Sequence, residues 1–102
     1  MDNLIELIKE LNIMQKEQFE ISKGEVSYII KNNIKDVNRI EHLLDKLLDF
    51  AYILGEEIFE TYYELTEYLN ALDEDAAKDY ESFLLEIFEN QKLDDENEID
   101  DM

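Results

Sequence analysis

Between Val37 and Leu72 apolar residues recur at Val37, Ile40, Leu44, Leu47, Ala51, Leu54, Ile58, Tyr62, Leu65, Leu69 and Leu72, in steps of three and four. A stripe of that period lies along one side of a helix and must be covered by a neighbour. One four-residue step is inserted around Ile58, against the strict seven-residue repeat. As a single helix, residues 36–71 would measure ~54 Å at 1.5 Å per residue. Gly55 marks a natural place for a break, yet the stripe keeps its phase through it.

The flanking segments are also helical in pattern. Leu4, Leu7, Ile8, Leu11 and Met14 carry helical spacing over about 3–19. Ser22-Lys23-Gly24-Glu25 has the form of a capping box, which predicts a second helix from Lys23 with Val26, Ile29 and Ile30 inward. Asn32-Asn33 predicts an end or kink. Asp73 can cap a last helix whose core side is Ala77, Tyr80, Leu84, Ile87 and Phe88. The chain has no Pro and two Gly, too few turn formers for a small all-β fold. The expectation is all-α: one domain over 1–91, a bundle of three to five helices with a long heptad-like helix breaking near Gly55, and an acidic, disordered tail over 92–102.

Charge sets the function class. Twenty-eight acids against nine bases give a formal net charge of −19 on 102 residues. Residues 1–46 hold nine acids and seven bases; residues 47–102 hold nineteen acids and only Lys78 and Lys92. A shell kept for solubility alone would be acidic throughout. The imbalance predicts an acidic end suited to a basic protein, most often one that binds nucleic acid, and it predicts repulsion from nucleic acid and anionic membrane. No apolar run approaches the ~20 residues of a membrane span, and the N-terminus lacks the basic start of a signal peptide. A cytoplasmic location is expected.

At 100° per residue, Asp49, Glu56, Glu60, Glu64 and Glu67 fall within about 80° of one another, opposite the core stripe, with Glu57 at the edge. Glu56, Glu60 and Glu64 are successive like-charge neighbours four apart, each pair costing ~0.2–0.5 kcal/mol of helix stability. A solvated helix face in an acidic protein would look similar, but it would normally alternate Glu with Lys. A fixed row of carboxylates can stand where phosphates stand in an Arg/Lys groove. Leu48, Tyr52, Phe59 and Tyr63 form a band between this row and the core stripe. Either another helix covers the band or it serves recognition, of a partner or of a second copy in a homodimer.

Catalytic and metal motifs are missing. There is no Cys; His42 is the one histidine, and Arg39 occupies the place that a Glu-x-x-His pair would require. Residues 94–101 lack the EF-hand spacing, and the two glycines, 31 residues apart, form no phosphate loop. Neither an enzyme, a cofactor nor a metal is expected. In size, helical pattern and acid clustering over the whole chain, the sequence resembles phage-encoded anti-restriction and anti-CRISPR proteins, some of which mimic nucleic acid; no motif is shared. The resemblance implies a small inhibitor acting by stoichiometric binding to a host nuclease or another nucleic-acid-binding protein. The alternative is a helical interaction or assembly protein, such as an adaptor, antitoxin or immunity partner, working through the apolar-aromatic band.

Overall fold

The computed structural model describes residues 2–100, with side chains described over 3–89. All its regular structure is helical: α1 (Asp2–Lys31), α2 (Val37–Leu54), a 3-10 turn (Gly55–Ile58), α3 (Phe59–Leu72) and α4 (Glu74–Asp100). The tail expected over 92–102 lies outside the residues with described side chains.

The first helix is one element of 30 residues, not two. Ser22 does not cap a new helix. It is buried, and with Phe19, Val26 and Ile29 it forms the one side of α1 that packs on α2. Burial of that side outweighs the ~1 kcal/mol that Gly24 costs inside a helix. The end of α1 is set by Asn33 in the left-handed region, φ 53°. The Asn33 N–H donates to the Ile30 carbonyl and the Ile34 N–H to the Ile29 carbonyl. This is the paired C-terminal closure that Asn tolerates after Gly. Asp36 then caps α2, its carboxylate accepting the Arg39 N–H at 3.3 Å.

The stripe from Val37 to Leu72 does not build one long helix. Gly55, with φ 61° and ψ −130°, ends α2, and its N–H donates to the Ala51 carbonyl. Both α2 and α3 nevertheless bury their share of the stripe: Ile40, Leu44, Leu47 and Ala51 before the break, Ile58, Tyr62, Leu65 and Leu69 after it. Asp73 closes α3, its N–H donating to the Leu69 carbonyl, and opens α4, its carboxylate accepting the Ala76 N–H at 3.1 Å. The expected face of α4 packs in part: Ala77 and Tyr80 are buried, while Phe88 stays exposed.

Tyrosine hydroxyls tie the helices together. Tyr62 on α3 donates to the Tyr80 carbonyl on α4. Tyr80 in turn donates to Asp45 on α2 at 3.0 Å, and Tyr68 donates to the Ile34 carbonyl at 2.7 Å, fixing the α1–α2 corner against α3. Burial, then the neighbouring Tyr80, Asp45 and Glu81, raises the Tyr62 phenol well above its ordinary pKa. Burial and the bond to Asp45 do the same for Tyr80.

Two outcomes follow. Space around Gly55 is open, so Gly55→Ala should cost only backbone strain, about 1–3 kcal/mol, read as a lower urea midpoint with far-UV helicity retained. Phenols whose folded pKa is raised stabilise the fold fully below the unfolded value near 10, and that contribution is lost as pH rises beyond it. Stability should therefore drop as pH rises above about 10 and go on falling through about pH 12. Tyr62→Phe should lose about 0.5–1.5 kcal/mol at neutral pH and show a shallower alkaline decline in urea titrations.

Candidate acidic interface

The regular part of the acidic row lies on α3. Tyr62, Leu65 and Leu69 face the core, which turns Glu60, Glu64 and Glu67 outward on the opposite side, and all three are exposed. Steps of four and three residues separate them by ~6 and ~4.5 Å along the axis. Glu57, in the 3-10 turn, joins Glu60, Glu64 and Thr61 along a groove whose other wall is Lys23, Val26 and Ser27 of α1. These four carboxylates form the candidate site.

Two residues of the expected ridge are not brought there. Asp49 is exposed on α2, on the side turned away from Leu47, Phe50 and Ala51. Glu56 lies against a second groove, with Phe59, Leu84 and Phe88 beside it. The reason is the backbone at 55–58. Gly55 leaves helical geometry, and a 3-10 turn advances at 3.0 residues per turn rather than 3.6, so a wheel drawn at 100° does not carry across it. Glu57, not Glu56, thus continues the row.

Among the described residues, no ion pair neutralises the row. Ion pairs among the described residues join Lys23 to Glu20 and Lys78 to Glu74, both at 3.3 Å and both exposed. Lys23 is the cation nearest in the groove, but its ammonium is engaged by Glu20 and sits 5.3 Å from the centre of the Phe19 ring.

The aromatic band is divided in the same way. Tyr52 on α2 and Tyr63 on α3 are 67% and 58% exposed. Leu48 and Phe59 are half-buried, and Phe59 meets Phe88 of α4 edge-on at 5.5 Å. Tyr63 belongs with the carboxylates: hydrogen bonding to Glu67, followed by the charge of that carboxylate, raises its phenol above the ordinary value. On its other side it borders Glu81, Leu84 and Leu85 of α4.

The first half of α1 stands exposed although its apolar spacing is that of a packed helix. Leu4, Ile5, Leu7, Ile8, Leu11, Ile13 and Met14 are each between 49% and 62% exposed. The packed side of α1 runs back from Phe19 through Gln15 and Asn12, and those two polar residues are the signal that core contact stops there. His42 lies with Asn38, Arg39 and Lys46 in a shallow, polar depression. Among the described residues no group of three or more His, Asp or Glu side chains is placed to hold a metal, and no helix is long and apolar enough to cross a membrane.

Compared with family models, curated proteins and solved structures, the chain matches none. The geometry itself separates two of the aromatic positions. Phe59→Ala should lose about 2 kcal/mol by opening a gap against Phe88, whereas Tyr52→Ala should change stability by less than about 0.5 kcal/mol; chemical denaturation measures both.

Proposed function

We propose that the chain is a non-enzymatic acidic inhibitor, which occupies the basic nucleic-acid-binding surface of a target protein. Glu57, Glu60, Glu64 and Glu67 stand in for phosphates, and Tyr63 adds contact area at the edge of the row. The observation that carries the reading is that these carboxylates share one exposed face while the cation nearest in the groove is engaged by Glu20. A field left uncancelled inside the molecule is available to an external Arg/Lys cluster. Their spacing of ~4.5–6 Å is of the order of the ~3.4 Å phosphate rise on one strand of duplex DNA, without copying it.

Asp49 and Glu56 act differently in this reading. They lie off the row and contribute to the general negative field that draws a basic target in. The residues following Leu47 carry nineteen acids against two bases, so steering alone should make association fast. The likeness in composition to phage-encoded anti-defence proteins fits a target such as a host nuclease, met in the host cytoplasm.

A second reading rests on a separate observation, the open rings of Tyr52 and Tyr63. In it the chain is a helical adaptor or assembly protein whose aromatic side chains, not its carboxylates, hold the partner. Substitution separates the two. The full chain is used as bait in a nuclease-treated bacterial lysate, over a salt series. Under the first reading, retained protein falls roughly tenfold or more between ~50 and ~500 mM salt, and duplex DNA displaces it. Reversing Glu60, Glu64 and Glu67 to Lys abolishes capture. Capture unchanged by that triple reversal, yet lost in Tyr52→Ala with Tyr63→Ala, would reject the phosphate-mimic role and favour the second reading.

A further inference from the structure

The apolar half of α1 has no partner within the described residues. Leu4, Leu7, Ile8, Leu11 and Met14 are all exposed, on a helix that continues into the core only from Phe19 onward. Together they leave on the order of 500 Å² of apolar surface per chain, the upper range for a monomer. We propose that residues 4–18 of α1 are a self-association surface, pairing antiparallel with the same segment of a second copy.

Three observations select a second copy as the occupant. The first is area. Two such segments bury about 1,000 Å² in total, where specific interfaces begin. The second is charge. Residues 3–18 carry Glu6, Glu10 and Glu17 against Lys9 and Lys16, so this segment belongs to the nearly neutral first half of a chain whose net charge is −19. A basic partner would be drawn to the acidic half instead, whereas another copy can approach the near-neutral first half, where this exposed apolar stripe lies.

The third is register. Leu4, Leu7, Leu11 and Met14 are spaced three, four and three apart, a pattern that reads the same in both directions. Laid antiparallel, Leu4 faces Met14 of the second copy and Leu7 faces its Leu11, the layering that opposed heptad stripes adopt. The antiparallel arrangement also sends the two acidic bodies to opposite ends. In this register the two Phe19 positions, where the bodies begin, are held ~30 Å apart, nearly four screening lengths at physiological salt. A parallel pair would set them side by side.

The test is sedimentation equilibrium of the full chain across micromolar to millimolar concentration. The weight-average mass should rise from 12.2 kDa toward twice that value, and more so as salt is raised, because screening removes repulsion between like-charged bodies. Salt would weaken the capture of a basic target, so the two interactions are told apart by the sign of their salt response. Leu7→Asp with Leu11→Asp should abolish association and leave thermal unfolding of the bundle unchanged, since neither side chain is buried. Orientation is read by oxidative cross-linking, the chain having no native Cys. Leu4→Cys chains mixed with Met14→Cys chains should cross-link to each other in preference to themselves. A mass of one chain at every concentration, association that survives the two Asp substitutions, or Leu4→Cys chains linking chiefly to each other would each overturn the proposal.

Discussion

The glycine at position 55 decides both the fold and the surface. A positive φ with an extended ψ is a backbone state that side chains with a Cβ pay to enter, and here it stops α2 after Leu54. The 3-10 turn that follows lets α3 set off anew. Without the break, the apolar stripe would lie along one rod about 54 Å long, too extended to enclose a core in a chain this size. With it, α2 and α3 contribute separate walls, against which α1 and α4 close. The same four residues decide which carboxylates share a face, exchanging Glu56 for Glu57 in the row.

A core this small holds a heavily charged chain together because polar closure supplements apolar burial. Among the described residues fifteen apolar side chains are buried, with Phe19 and Phe50 edge-on at 5.9 Å where α1 crosses α2. The hydroxyls of Tyr62 and Tyr80 then join α4 to α3 and α2, and that of Tyr68 joins α3 to the α1–α2 corner, each at a fixed height. A hydrogen bond between packed elements contributes only about 0.5–1.5 kcal/mol, but it also selects one register of a helix that could otherwise slide along an apolar groove. Fixing α4 in this way fixes Leu84 and Leu85 beside Tyr63, and so the shape of the surface next to Glu67.

Much of the fold was legible in the sequence. Period identified Ile40, Leu44, Leu47 and Ala51 of α2 and Tyr62, Leu65 and Leu69 of α3 as buried but not Leu43, Phe50, Thr61 and Thr66, which widen the packed side, and the turn at Asn32-Asn33 and the cap at Asp73 formed where their chemistry indicated. What misled was local signal against tertiary packing: Ser22-Lys23-Gly24-Glu25 has every mark of a helix start, yet the burial of Phe19, Ser22, Val26 and Ile29 on one side carries the helix straight through it. The break at Gly55 was visible as a residue but not as a phase change, because both helices present apolar residues to the same core. On the surface, Glu60, Glu64 and Glu67 could be placed from spacing within one helix. Glu56, Glu57 and Asp49 could not, since their relation to that helix depends on dihedral angles in four residues. The exposure of Leu4 to Met14 was marked only by Gln15 and Asn12, two polar residues that continue the side of α1 bearing Phe19, while the apolar spacing of Leu4 to Met14 pointed to burial.

If the carboxylates of α3 act as one shaped anionic surface rather than as part of a uniform negative cloud, a cationic ligand must find them selectively. Backbone amide chemical shifts, followed while an arginine-rich helical peptide is titrated into the chain, show whether it does. Saturating shifts are expected to concentrate on residues 57–67 and the facing turn of α1 around Lys23, with smaller ones at Asp49 and Glu56. Shifts of equal size spread over every acidic segment, α4 included, and scaling only with peptide concentration, would rule the shaped surface out.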